Sequence, residues 1–285
     1  MFDVAYIRPA DVGSALDFLS GHSGDTAILA GGTDVMIDMR TGVLKCRYLL
    51  DVSRLPELQE IKVDGGQLTI GAGVTITEIG RSEIIGRHAP ALQIAAGKFA
   101  SRQVRNIATI GGNVAHCSPC GDTIPPLLIH DALAVVSNHQ GQRLVSIEEM
   151  ADGPYHCSLH PDELITHFIL KVKPDGVDFA DFQKIGRRRE LAIARMSMAA
   201  MAAREIDKSI SFIRLALGSC TPTPHRFRDI EDYLIGKIPD EKLLWEAGRR
   251  LADRMFDITG RRPSAVYKQP AIRGLFMRMM SPLVI

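Results

Sequence analysis

Two stretches decide how this chain reads: Ile28-Leu29-Ala30-Gly31-Gly32-Thr33-Asp34, and Ala108-Thr109-Ile110-Gly111-Gly112-Asn113-Val114-Ala115-His116-Cys117-Ser118-Pro119-Cys120-Gly121-Asp122. Each sets a glycine doublet among small and hydroxylated residues, so each exposes backbone N–H groups that no bulky side chain shields. Successive N–H groups of this kind form a concavity for an anion. Two such turns brought together would cradle the two charges of a pyrophosphate, and a dinucleotide ligand is the expectation. Either doublet alone also reads as an ordinary turn. The usual dinucleotide fingerprint is missing, because Gly71-Ala72-Gly73 begins it but no third glycine follows at the required spacing. The pattern is therefore not that of a Rossmann domain.

Working outward, Asp11 predicts the cap of a short helix with Ala15, Leu16, Phe18 and Leu19 on its buried side. Residues 27–30 read as a buried strand that stops at the first doublet, and residues 48–52 as another. Ile61 to Val63 and Leu68 to Ile70 predict a hairpin around Asp64-Gly65-Gly66. Pro90 opens a helical pattern reaching Phe99, and Leu133 to Val136 returns to strand. Lys173-Pro174-Asp175-Gly176 is a breaker cluster suited to a domain boundary. Beyond it, residues 194–204 are rich in alanine and methionine and predict a helix. Ile210 to Leu217 alternates as a strand does, and Pro222-Thr223-Pro224 marks a turn. Residues 241–256 form an amphipathic helical pattern, and a last helix is expected over 270–280. The whole reads as a nucleotide-binding α+β part followed by a smaller α+β part.

Composition narrows the function classes. With 285 residues the core needs no disulfide staples. The 34 basic and 33 acidic side chains nearly cancel, which argues against nonspecific nucleic-acid binding. No apolar run approaches the roughly 18 residues of a membrane span, and Met1-Phe2-Asp3-Val4 does not open a signal peptide. Five cysteines without secreted-scaffold spacing suggest reduced thiols in a cytoplasmic protein.

Cys117 and Cys120 form a Cys-x-x-Cys pair, but Cys46, Cys157 and Cys220 are scattered singly, so no four-cysteine site assembles from spacing. Small thiols beside a ligand are the simpler reading. No His-Glu-x-x-His spacing and no nucleophile elbow supports hydrolysis. Arg187-Arg188-Arg189-Glu190 reads as a solvated loop, and Lys184 before it as a surface lysine.

In combination the motifs are less generic. Ala30-Gly31-Gly32-Thr33-Asp34, Gln103-Val104-Arg105-Asn106, Thr109-Ile110-Gly111-Gly112-Asn113 and Ser118-Pro119-x-Gly121-Asp122-x-x-Pro125 occur in this order. Together with Leu50-Asp51-Val52, Ile70-Gly71-Ala72, Phe182-Gln183-Lys184, Ala216-x-Gly218 and Val266-Tyr267-Lys268, they strongly resemble the FAD-binding (medium) subunits of the molybdenum hydroxylases, the xanthine dehydrogenase and carbon monoxide dehydrogenase family. The likeness runs over nearly the whole chain. It implies an α+β protein with the FAD-binding fold of vanillyl-alcohol-oxidase-type proteins. Two α/β subdomains, 1–60 and 61–173, would sandwich FAD, and a smaller C-terminal α+β domain, 174–285, would follow.

Carried over residue by residue, the resemblance implies that Leu29, Ala30, Gly31, Gly32, Thr33, Asp34 and Val35 wrap the pyrophosphate from one side. Thr109, Ile110, Gly111, Gly112 and Asn113 would do so from the other. Asp122 would accept hydrogen bonds from sugar hydroxyls, Phe99 would pack near the adenine end, Ile165 would lie against the flavin, and Lys184 would sit close to its ring system. Many relatives carry alanine or isoleucine where this chain has Cys117 and Cys120, and a small or hydroxylated residue at His116. Some hold an extra [4Fe-4S] cluster in an insertion that is absent here, so no cluster is expected in this subunit.

The function implied is electron transfer through noncovalent FAD, without a catalytic side chain or metal site of its own. Molybdopterin would sit on a large partner subunit and [2Fe-2S] clusters on a small one, in a heterotrimer, with NAD+ or another acceptor taking the electrons. A self-sufficient flavin oxidase or dehydrogenase of the same fold is the alternative. A non-catalytic assembly protein that has lost FAD is a further rival, against which the intact glycine turns, Asp122 and Lys184 stand.

Overall fold

A computed structural model describes residues 3–188, 191–260 and 263–284. The chain begins with β1 (Ala5–Ile7), α1 (Val12–His22), β2 (Thr26–Leu29), α2 (Val35–Thr41) and β3 (Tyr48–Asp51). The three strands pair in parallel in the order β1-β3-β2. As the sequence predicts, Asp11 starts α1, its carboxylate accepting from the Ser14 amide at 2.7 Å. Ala15 and Leu19, one helical turn apart, are fully buried and join Leu50, Val52, Leu55 and Leu58 in a small core.

Next come β4 (Ile61–Asp64) and β5 (Gln67–Gly71), the predicted hairpin, which turns at Gly65-Gly66. Six short helices follow: α3 (Ile76–Arg81), α4 (Glu83–His88), α5 (Pro90–Lys98), α6 (Arg102–Arg105), α7 (Ile110–Ala115) and α8 (Ile124–Ile129). Then come β6 (Leu133–Asn138), β7 (Gly141–Ser146), the small hairpin of β8 (Ala151–Gly153) and β9 (His156–Cys157), and β10 (Leu164–Lys171). The second sheet is antiparallel in the order β4-β5-β10-β6-β7. Leu68, Ile70, Phe168 and Leu170 of this sheet share the largest core with Ile79, Leu92, Val114 and Leu127 of the helices.

The breaker cluster at Lys173-Pro174-Asp175-Gly176 lies in the link to β11 (Val177–Gly186). An antiparallel sheet follows, with β12 (Ala194–Arg204), β13 (Ile210–Gly218) and β14 (His225–Arg226), and then α9 (Arg228–Leu234), α10 (Glu241–Thr259) and α11 (Ala265–Met280). The helix predicted from residue 270 starts earlier, and Pro270 lies within it.

One expectation is corrected. Residues 194–204, expected as a helix, are the strand β12, paired on both edges with β11 and β13. Met196, Met198, Ala200 and Ala202 pack with Leu251, Leu275 and Phe276 of α10 and α11. Ala199, Met201 and Ala203 face the other way, into the core that holds Leu127 and Leu128 of α8. A strand buried on both faces loses the polar–apolar alternation that marks a strand in sequence. Helix propensity yields to this tertiary setting. Arg189 and Glu190 of the predicted basic loop lie outside the described residues.

An ionic junction ties the third sheet to the second. Asp131, between α8 and β6, holds Arg214 of β13 at 2.7 Å and also pairs with Arg226 of β14. Arg226 grips Glu231 of α9 through Nε–Oε1 and Nη2–Oε2, both 2.9 Å. Glu231 in turn accepts from the Leu215 amide at 2.8 Å. Arg214 also donates to the Ile129 carbonyl at 2.9 Å. Removing Asp131 leaves two guanidinium groups facing each other, each with 15% or less of its side chain exposed. Asp131→Ala is expected to lose on the order of 2–3 kcal/mol. This is below the roughly 3–5 kcal/mol of a fully buried pair, because Asp131 keeps 33% of its side chain exposed. The denaturant midpoint checks this, and an unchanged midpoint would show the junction to be dispensable.

Candidate functional site

The glycine doublets meet because two backbones touch. A Cβ on Gly31, in the turn between β2 and α2, would lie 2.1 Å from the Ile107 carbonyl oxygen and 2.8 Å from the Ala108 Cα. One on Gly111 would lie 2.7 Å from both the Cβ and the carbonyl oxygen of Ala72. No side chain fits at either place, which is a stronger demand than a turn alone would make. The start of α7 is held against the strand-like segment after β5 by backbone bonds. Gly111 N–H donates to the Ala72 carbonyl at 2.9 Å, Ile110 N–H to Val74 at 3.0 Å, and Ile76 N–H to Ala108 at 2.9 Å. Thr109 caps α7, its hydroxyl accepting from the Gly112 amide at 3.1 Å.

Between these turns opens a cleft of about 240 Å³. Of the residues singled out in the sequence, Ala30, Gly31, Gly32, Thr33, Asp34 and Val35 line it from the first turn. Thr109, Gly111, Gly112 and Asn113 line it from the second, and Phe99 and Ile165 complete the set. In the first turn, where Gly32 has φ +69°, the N–H groups of Gly31, Gly32, Thr33 and Asp34 donate to no acceptor among the described residues. They are four successive donors without a protein acceptor, on residues that line a concave space.

Four of the singled-out residues lie elsewhere. Leu29 ends β2 and packs beneath Gly32, and Ile110 is fully buried in the core. Asp122 and Lys184 do not line the cleft; they pair with each other, Nζ to Oδ2 at 2.5 Å, with 6% and 10% of their side chains exposed. Burial pushes the Asp122 carboxyl up to about 6, while Lys184 pulls it the other way. The other oxygen, Oδ1, is buried without a partner. Asp122 is tied to α7 through its neighbour, because the Thr123 hydroxyl donates to Asn113 Oδ1 at 2.7 Å.

Sequence reasoning missed several cleft residues, among them Ala72 and Gly73 after β5 and the apolar Val52, Leu58 and Leu164. Gly71-Ala72-Gly73 did carry a signal, since a Cβ on Gly71 would lie 2.2 Å from the Leu58 carbonyl oxygen. His116 also lines the cleft, with Nε2 3.7 Å from Asp34 Oδ1 across it and its ring edge-on to Tyr155. Cys117 is buried, its thiol donating to the carbonyls of Val114 and Met150 at 3.3 and 3.5 Å.

The chain matches two family models. Residues 2–170 match the FAD binding domain in molybdopterin dehydrogenase, and residues 181–283 match the CO dehydrogenase flavoprotein C-terminal domain. It is 36% identical over 234 residues to a xanthine dehydrogenase FAD-binding subunit of Escherichia coli O157:H7, covering 81% of this chain and 79% of that one. It is 30% identical over 284 residues to a nicotinate dehydrogenase FAD-subunit of Eubacterium barkeri, covering 98% and 95%. Its fold superposes on carbon monoxide dehydrogenase from Hydrogenophaga pseudoflava with a TM-score of 0.90 at 27% identity, covering 99% of this chain and 98% of that one. With both family models matched in order around a cleft built by the two glycine turns, the chain belongs to the FAD-binding medium subunits of the molybdenum hydroxylase dehydrogenases, oxidoreductases of the xanthine and carbon monoxide dehydrogenase type.

Proposed function

We propose that the cleft holds noncovalent FAD with its pyrophosphate on the free N–H row of Gly31 to Asp34 and beside the α7 turn, Thr109 to Asn113. That row carries the reading: donors left without a protein acceptor at a glycine contact too tight for any Cβ are what an anion's close approach requires. Leu29 and Ile110 act from behind, setting the positions of the two turns. Phe99 and Ile165 supply apolar walls, Phe99 for the adenine end and Ile165 for the flavin.

Asp122 and Lys184 form the polar end of the site. The unpartnered Oδ1 of Asp122 is an acceptor waiting for a donor, and sugar hydroxyls are donors of the right kind. Lys184 keeps an ammonium beside that carboxylate, where it offsets negative charge near the ring system. Bound here, FAD supplies the redox chemistry that links [2Fe-2S] clusters of a small subunit to NAD+ or another acceptor. Substrate hydroxylation belongs to the molybdopterin of a large subunit. The protein's own part is binding, orientation and electrostatics. No described helix is long and apolar enough to cross a membrane, and we place the heterotrimer in the cytoplasm.

An absorbance spectrum of the chain purified with its neighbouring subunits, followed by release of cofactors, tests this reading. Noncovalent FAD with co-purifying iron and molybdenum supports it, and a colourless protein would overturn it. Gly112→Val is expected to fold, because a Cβ there meets only its own cap hydroxyl at 3.1 Å, yet to lose FAD by filling the cleft wall. If that variant keeps a wild-type melt and full flavin content, the pyrophosphate does not lie on α7.

Acid should weaken FAD binding through Asp122. Hydroxyl donors favour the ionised carboxylate, so affinity is full above about pH 6 and falls with pH below it, by about tenfold per unit at most for one proton. Asp122→Asn should retain less flavin at neutral pH and show a flat profile through the same window. A wild-type dissociation constant that does not change on crossing this range would remove Asp122 from the site.

A further inference from the structure

The Cys-x-x-Cys spacing suggests that Cys117 and Cys120 work together, but the fold gives Cys117 another partner. Cys117 lies in the turn after α7, buried and in a left-handed conformation with φ +50°. Its thiol meets that of Cys157, the last residue of β9, and the two interact as hydrogen-bond partners. Both sulfurs also rest on one residue. Cys117 Sγ lies 3.5 Å from the Met150 carbonyl oxygen, and Cys157 Sγ lies 3.7 Å from the Met150 sulfur. Main-chain bonds hold the segments in this register: the Tyr155 amide donates to the Cys117 carbonyl and the Ser158 amide to the Met150 carbonyl, both at 2.9 Å.

The two thiols are unequal. Cys117 has the Cys157 sulfur and the carbonyls of Val114 and Met150 within reach of its one proton. A thiolate at Cys157 is the strongest of these acceptors. That bond holds the Cys157 thiol below the ordinary thiol range, against burial, Asp152 and Glu163, and the Leu159 amide assists it. The same contact, together with burial, pushes the Cys117 thiol up. Arg143, which grips Glu163 at 2.7 Å and donates to the Ser158 carbonyl at 3.1 Å, adds a cation on the Cys157 side. Cys157 is only half-buried, so the accessible sulfur is the one that ionises, with a protected thiol directly behind it. Among the described residues no group of three histidine, cysteine or acidic side chains could hold a metal here.

An accessible thiolate backed by a resolving thiol is the arrangement that peroxide chemistry requires. The geometry points to Cys117 and Cys157 as a dithiol oxidised by hydrogen peroxide, a modification site distinct from the FAD cleft. The Cys157 thiolate attacks one peroxide oxygen, which leaves a sulfenic acid on Cys157 and releases hydroxide. The Cys117 thiol then attacks that sulfur to form the disulfide, and its proton leaves with the sulfenic hydroxyl as water. The thiol pair gives up two electrons and the peroxide accepts both. Neither cysteine lines the cleft, so the inference does not rest on the FAD reading. The link would tie the β8–β9 hairpin to the end of α7, next to His116, whose ring already meets Tyr155 of that hairpin.

The test is to treat the protein, purified with its neighbouring subunits, with a small excess of hydrogen peroxide at neutral pH. Remaining thiols are then alkylated, and the peptides of this chain are read by mass spectrometry. The expected product is a Cys117–Cys157 disulfide that a dithiol reductant reverses and that still forms in Cys120→Ser. In Cys117→Ala, oxidation should stop at a Cys157 sulfenic acid that a cyclic dione traps, and in Cys157→Ala the Cys117 thiol should stay free. Before oxidation, Cys157 is expected to be alkylated at least about fivefold faster than Cys46, which is also half-buried. Failure of the link to form, a Cys117–Cys120 disulfide in its place, or Cys157 alkylation no faster than that of Cys46 overturns the inference.

Discussion

The site depends on a contact between two stretches of backbone. Gly31 follows β2 of the parallel β1-β3-β2 sheet, and Ile107-Ala108 lie between α6 and α7, the latter packed on the five-stranded sheet. Where they meet, even a methyl group would overlap a carbonyl oxygen. The contact brings a row of free N–H groups opposite the start of α7, which neither unit achieves alone. Gly111 against Ala72 repeats the logic on the far side, fixing α7 to the segment after β5. A larger residue at either position would move a wall of the cleft as a rigid body, so the cost would fall on binding as well as on stability.

The third sheet contributes indirectly. Its strand β11 carries Lys184 to Asp122, and Asp122 sits one residue from Thr123, which bonds Asn113 of α7. The pair can form only if the sheet is seated against α5 and α8. The alanines of β12 permit that approach, and the Asp131 junction with Arg214 and Arg226 anchors it. Small side chains on one strand and an ionic junction at one corner thus set the position of a single ammonium group beside the site.

Local signals in the sequence were legible because local physics fixes them. Asp11 caps α1, the Gly65-Gly66 turn closes the hairpin, and the stripe containing Leu244, Ala247 and Leu251 makes α10 amphipathic. The glycine doublets were legible too, since a row of small residues announces a close approach without naming what approaches. The β12 strand was misread, because burial on both faces erased the alternation while alanine and methionine favour helix. Pairings between distant positions left no local trace. Asp122 and Lys184 are 62 residues apart, and Arg226 meets Asp131 across 95. Only the resemblance to a family brought Asp122 and Lys184 into view, and it did not reveal that each is the other's partner.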